Sequence, residues 1–254
     1  MNITIATENC TSENFYIIEE LADSSVKLTI TYPKIVTVQS RKILIDQVIN
    51  QIQAELKKFK WLICGPVRLD LGWYLNAIER QETDAIGDID NITKPIQDAL
   101  CGPDGLLVDD SQIGALYTYW MTRNDLLTDN VLVMNLKFSN DDTLMKKNLF
   151  FIQYYQAICL PVNVDSTKVT DMIAANIIIK NRLGYRKLAD KIREAGGNAD
   201  IHLVQSNYDF HRTRLNGFSA QITSLAQLKQ KCKAAGLTLS DYFNFFRKKT
   251  SKPD

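Results

Sequence analysis

The chain has 254 residues, 45% of them hydrophobic and 23% charged, with a formal net charge of +1. That composition describes an ordinary soluble globular protein, long enough for one large domain or two modest ones. Met1-Asn2-Ile3-Thr4-Ile5 lacks a basic stretch followed by an apolar run, and nowhere do the roughly eighteen apolar residues of a membrane span run together, so the expected setting is cytoplasmic, neither secreted nor membrane-bound.

Five cysteines, Cys10, Cys64, Cys101, Cys159 and Cys232, are scattered and never form a C-x-x-C pair. This excludes a zinc knuckle or a disulfide framework and predicts reduced, mostly buried thiols. The near-neutral total conceals an asymmetry. Residues 1–150 carry 14 Lys and Arg against 21 Asp and Glu, a balance of −7, whereas residues 151–254 carry 16 against 8, a balance of +8. A basic second half beside an acidic first half fits a metal-holding part next to a polyanion-attracting part, and equally fits two domains docking by complementary charge.

In chain order, residues 1–25 read as a polar, acidic N-terminal extension, in which Asn14 to Leu21 could form a short helix. Val26 to Tyr32 alternates in period two and meets Pro33, predicting a strand ended by a turn. Ile45, Val48, Ile49, Ile52 and Leu56 recur at three and four, predicting an amphipathic helix over about 42–60. Pro66 to Leu75 reads as a second strand, followed by a polar loop, Asn76 to Gly87. A helix carrying Asp90, Lys94 and Asp98 comes next, then the turn Gly102-Pro103-Asp104-Gly105 and a brief extended run, Leu106 to Val108. Two strands, Ile113 to Met121 and Asn130 to Phe138, follow with hairpin-like spacing. This order predicts an α+β domain over about 26–140, a linker at Ser139 to Thr143, and a second, basic α/β domain over 150–254. In the latter a strand at Leu149 to Ile158, helices at Ser166 to Lys180 and Tyr185 to Ala195, short strands at Asp200 to Gln205 and Gly217 to Thr223, and closing helices at Ser224 to Ala235 and Ser240 to Lys249 are expected. No internal repeat or low-complexity tract is present.

The most informative stretch is Gly87-Asp88-Ile89-Asp90-Asn91-Ile92-Thr93-Lys94-Pro95-Ile96-Gln97-Asp98-Ala99-Leu100, followed by Asp109-Asp110-Ser111-Gln112-Ile113. Carboxylates near 4 Å repel by about 4 kcal/mol at an effective dielectric of 20, so such a cluster takes up protons or binds a cation. Oxygen ligands without histidine suit magnesium, or manganese in its place. Residues four apart share a helix face, which aligns Asp90, Lys94 and Asp98 and leaves Ile92, Ile96, Ala99 and Leu100 for the core. Pro95 is tolerable in a first turn, so the helix is expected to begin near Asn91. Asp88 and Asp90 then sit just before it, one of Asp109 and Asp110 completes a three-carboxylate site, and Lys94 is placed to contact phosphate. A helix N-cap with dipole-favoured acids would explain one or two of these residues, but neither the lysine nor the later acidic pair.

Asp-x-Asp-Asn-x-x-Lys-x-x-x-Asp-Ala-Leu, a glycine-bearing turn, then Asp-Asp-x-Gln-Ile resembles the signature of the RusA family of Holliday-junction resolvases, sharply across residues 87–113 and in element order over about 26–138. The resemblance implies a small α+β nuclease domain with a mixed sheet and packed helices, acting as a homodimer that nicks branched DNA with magnesium in recombination or repair. It implies metal-binding roles for Asp88, Asp90 and Asp110, an essential Lys94, and supporting roles for Asn91, Asp98 and Asp109. The metal would polarise the scissile phosphate and activate a water for in-line attack, leaving 5′-phosphate and 3′-hydroxyl ends. One departure is visible. Members of that family carry basic residues just before the first aspartate, whereas Glu79 to Gly87 here is net acidic, so either the basic second half supplies the DNA contacts or the substrate is not a bare four-way junction.

Candidate contacts are Arg212 and Arg214 in a polar loop, and Arg247, Lys248 and Lys249 near the end. The tail from Lys231 to Lys249 looks like the paired helices of ribbon-helix-helix repressors or a helix-turn-helix, although such pairs are common as plain packing and the stripe of Tyr242, Phe243, Phe245 and Phe246 is more often core. His202 and His211 share no ligand spacing. No Walker loop, G-x-G-x-x-G or G-x-S-x-G occurs, so no nucleotide cofactor is expected. The different-class alternative is a non-catalytic, dimeric DNA-binding or regulatory protein that uses the basic C-terminal helices.

Overall fold

A computed structural model describes residues 1–8, 10–13, 24–76, 87–123, 129–199 and 209–237. The chain divides into two compact units, Met1–Lys146 and Lys147–Asp254. Both mix helices with sheets, the α+β class expected from the element order.

In the first unit, strands β1 (Asn2–Glu8), β2 (Ser24–Tyr32), β4 (Val67–Asn76), β5 (Ile113–Arg123) and β6 (Asn130–Phe138) form a five-stranded sheet in the order β1-β2-β6-β4-β5. A two-stranded ribbon pairs β3 (Trp61–Ile63) with β7 (Thr143–Met145). Period-two alternation sends Val26, Leu28, Ile30 and Tyr32 of β2, and Leu132, Met134, Leu136 and Phe138 of β6, into one core. Helices α1 (Lys42–Leu56) and α2 (Ile89–Leu100) close that core with Val48, Ile52 and Leu56, and with Ile92, Ile96, Ala99 and Leu100.

All neighbouring strands of the sheet are antiparallel except β4 and β5, which run parallel with Trp73 opposite Trp120. Parallel neighbours need a crossover connection, and α2 lies in it. The hairpin expected between β5 and β6 is therefore corrected, because β4 sits between them. Alternating buried residues on β6 put one of its faces on the core, whereas Leu116, Tyr117 and Met121 of the edge strand β5 are exposed.

Three other expectations change. Helix α2 begins at Ile89, not near Asn91, so Pro95 lies inside the helix. Its missing N–H leaves the Asn91 carbonyl without the usual intrahelical donor, and the backbone N–H of Val38 donates to that oxygen at 3.0 Å. The segment expected as a linker is packed instead: Asn140–Asp142 form a short 3-10 turn, Asp142 and Thr143 are buried, and the Cys64 N–H donates to the Asp142 carbonyl at 2.6 Å. The N-terminal extension contributes strand β1, whose alternating Ile3 and Ile5 pack against the core. The helix expected over Asn14 to Leu21 lies outside the described residues.

In the second unit, β8 (Leu149–Tyr155) and β9 (Ile158–Asn163) form a hairpin where one strand was expected. Gln156 turns the chain with a φ of 43°, a left-handed conformation whose signal is weak without glycine. Their sheet is completed by β10 (Phe210–His211) and β11 (Ile222–Ser224), in the order β10-β9-β8-β11. Only the end of the strand expected over Gly217 to Thr223 forms, since Ser219–Gln221 is a 3-10 turn. The two expected helices are one, α3 (Val169–Glu194). Gly184 interrupts the pattern but costs only about 1 kcal/mol in a helix interior, too little to break a helix that buries Met172, Ile173, Ala175, Ile179 and Ala189. Helix α4 (Leu225–Ala234) starts at a capping box between Ser224 and Gln227. The strand Asp200 to Gln205 and the helix Ser240 to Lys249 fall outside the described residues.

A buried polar cluster joins elements of this unit. The Tyr154 hydroxyl donates to Asp209 Oδ2 at 2.5 Å, and the Arg186 guanidinium donates to the same oxygen at 3.1 Å. Arg186 and Asp209 side chains are only 18% and 4% exposed. Asp209→Ala removes the buried counter-charge of Arg186 and is expected to cost about 3 kcal/mol or more, read from urea unfolding of the full chain. An unchanged unfolding curve would show that the cluster contributes nothing.

No described helix is long and apolar enough to cross a membrane. The described cysteines are all free, four of them buried and Cys101 partly so.

Candidate metal centre

The crossover between β4 and β5 carries every acid of the motif, and the fold returns its second half to its first. After α2 ends, Gly102, with a φ of 93°, begins the turn, and the N–H groups of Leu106 and Leu107 donate back to the Leu100 carbonyl at 2.8 and 2.9 Å. Gly105 is required by close approach, since a Cβ there would lie 2.2 Å from that same carbonyl oxygen. The chain then runs through buried Leu107 and Val108 to the acidic pair.

Lys94 is the meeting point. Its Nζ contacts Asp98 Oδ1 at 2.7 Å, one helical turn along α2, and donates to Asp110 Oδ2 at 2.8 Å, across the turn. Partial burial opposes the charged amine, but the hydrogen bonds and charges of Asp110 and Asp98 outweigh it and hold the Lys94 ammonium well above the usual lysine range. The field of the cluster is felt nearby. Burial first, then the charges of Asp110, Asp109 and Asp98, push the Cys101 thiol up to about 12.

Asp88 occupies the N-cap position of α2, but its side chain makes no cap hydrogen bond. Its Oδ1 instead accepts from Asn91 Nδ2 at 2.6 Å. Gly87 before it has a φ of 63°, the left-handed region that favours glycine. Asp90 is exposed in the first turn, where the positive end of the helix dipole favours an acid. Asp109 accepts from the Ser111 N–H at 3.1 Å and caps the 3-10 turn Asp110–Gln112.

One residue of the motif had no assigned role and has a structural one. Gln112 is 7% exposed, and both ends of its amide are used. Oε1 accepts from the Val108 and Asp109 N–H groups at 2.7 and 3.0 Å, while Nε2 donates to the Ile63 and Gly65 carbonyls at 2.9 Å each. It fastens the acidic turn to the end of β3. The Asp109-x-x-Gln112 spacing is that of a capping box, and this signal could have revealed it.

The structure thus brings Lys94, Asp98 and Asp110 together and ties Asp88 to Asn91. It does not gather Asp88, Asp90 and Asp110 into a ready-made cage: among the described residues no three His, Cys, Asp or Glu side chains form a group that could hold a metal. By chemistry the donor set nonetheless fits a hard cation, being oxygen-only and partly open to solvent. Arg212 and Arg214 lie exposed in a 3-10 turn of the second unit. Arg247, Lys248 and Lys249, and the acidic residues 79–86, lie outside the described residues. The chain matches no known family model and no curated protein.

Proposed function

We propose that the first unit is a magnesium-dependent endonuclease that hydrolyses phosphodiester bonds in branched DNA, Holliday junctions included, in recombination or repair. In this reading it works as a homodimer in the cytoplasm, and manganese can replace magnesium. The observation that carries the reading is the bond from Lys94 to Asp110, which unites two motif segments 16 residues apart around one retained cation.

Asp88, Asp90 and Asp110 would hold the metal, which supplies Lewis-acid polarisation of the phosphate and a water of lowered pKa. Lys94, kept protonated by Asp98 and Asp110, donates to charge developing on the phosphate or on the leaving oxygen. Asn91 orients Asp88, and Gln112 holds the turn bearing Asp109 and Asp110. Exposed Arg212 and Arg214 add backbone contacts whose strength falls with salt.

Synthetic four-way junctions, flaps and duplexes, incubated with magnesium or with chelator, test the proposal. Cutting of branched substrates only with metal is expected, and Asp90→Asn is expected to abolish it while costing the fold at most about 1 kcal/mol, the helix-dipole contribution of an exposed first-turn acid, because the shape is kept. Cleavage by Asp90→Asn at the wild-type rate would refute the assignment. Binding without cutting would favour a non-catalytic DNA-binding protein.

A further inference from the structure

A cavity of about 610 Å³ opens in the first unit between the end of β2 and the first turns of α1. Its size falls within the ~300–1,000 Å³ of small-ligand clefts. One wall is a single face of α1, on which Leu44, Gln47, Val48 and Gln51 recur at three and four. The opposite wall is formed by Tyr32 to Val36. The lining is divided by chemistry. Ile35, Leu44 and Val48 give it apolar surface, Gln47 and Gln51 give it two amides, and Lys34 and Arg41 give it two cations, while none of the lining residues is acidic. In a unit whose half of the chain is net acidic, a cleft whose charged lining side chains are Lys34 and Arg41 presents a positive field that favours an anion.

The same segment is bonded to the carboxylate helix. Val38, between Lys34 and Arg41, donates its N–H to the Asn91 carbonyl at 3.0 Å, and Asn91 is the residue that holds Asp88. The cleft and the acidic motif therefore share one hydrogen-bonded frame.

We infer that this cleft receives a single unpaired nucleotide, its phosphate at Lys34 and Arg41 and its base against Leu44 and Val48 with the edge toward Gln47 and Gln51. A carboxamide presents a donor and an acceptor side by side, which suits a base edge, and aliphatic side chains pack on a base face. The inference deepens the nuclease reading and rests on it: the unpaired nucleotide would belong to a strand departing from the branch.

Binding is measured with chelator present, so that the carboxylates play no part. The probes are dAMP and dTMP, the matching nucleosides, inorganic phosphate, octanoate, and a short single strand. Nucleotide and single strand are expected to bind at least tenfold tighter than nucleoside, phosphate or octanoate. Lys34→Ala/Arg41→Ala is expected to weaken them tenfold or more, and Leu44→Asp to do the same through the base. All three positions are exposed, and an unchanged melting temperature confirms that each variant is folded. Nucleotide binding no tighter than phosphate or octanoate, or unaltered in folded variants, overturns the inference. Tight single-strand binding without free-nucleotide binding overturns it as well, because the strand is then held outside the cleft. Loss of the nuclease reading would appear separately, as absent cleavage in wild-type protein that still binds nucleotide.

Discussion

Lys94→Ala is expected to lower metal-dependent cleavage about 10²- to 10³-fold, the range seen when one preorganised donor to a developing charge is removed. Stability should change little. The Lys94, Asp98 and Asp110 side chains are 42%, 46% and 32% exposed, and ion pairs that open to water are worth at most about 1 kcal/mol. Single-turnover cleavage of a junction, paired with urea unfolding, separates the two effects. A variant that cuts normally would remove lysine from the mechanism. The charge state also makes a prediction in pH. Because the folded pKa lies above the unfolded one, the contribution of the ammonium is complete below the ordinary lysine value and fades only as pH climbs through the raised one. In the metal-free protein Lys94 should therefore stay charged up to about pH 10, followed by NMR of its side chain. Loss of its proton below that pH would contradict the bridged geometry.

Gln112→Leu should strongly destabilise the first unit. The substitution fills similar space but abandons four backbone partners, the N–H groups of Val108 and Asp109 and the carbonyls of Ile63 and Gly65. Each buried group left unpaired costs about 1–3 kcal/mol, so a loss of about 3 kcal/mol or more is expected in denaturant unfolding. Gln112→Glu should be no better. It preserves shape but turns a carboxylate oxygen toward two carbonyl oxygens, and a buried unpaired charge is more costly than a missing hydrogen bond. Cleavage should fall with stability in both variants, since Asp109 and Asp110 ride on the turn that Gln112 secures. Wild-type stability in Gln112→Leu would mean that the turn holds itself.

Local periodicity carried much of the fold. β2, α1, β4 and β6 are legible because their alternation or three-and-four spacing faces one core, and that pattern survives any choice of neighbours. Pro95 misled for a physical reason. A proline costs a helix its hydrogen bond unless a distant group takes the freed carbonyl, and that group, the Val38 N–H, is 53 residues before Asn91 and invisible to local rules. Gln156 hid a hairpin because left-handed turns usually announce themselves with glycine or asparagine. Two helices were expected where burial of Met172, Ile173, Ala175, Ile179 and Ala189 sustains one, continuous through Gly184.

The residues of the candidate centre were legible as types and spacings: acids in excess of what capping needs, one lysine among them, and a turn able to bring the later pair back. What spacing could not express is which acid each cation would choose. Only the crossover between parallel strands, with the turn folded onto the Leu100 carbonyl and Gln112 anchored at the end of β3, delivers Asp110 to Lys94 and leaves Asp88 to Asn91. The amino-acid order thus determined by itself the central elements of the first unit, β2, α1, β4, β5 and β6, and the chemistry of the motif, because these depend on neighbours within a few residues. Strand order, the start of the motif helix and the partner of each carboxylate were decided by tertiary contacts, because hydrogen bonds and ion pairs between distant segments exist only once the core has brought those segments together.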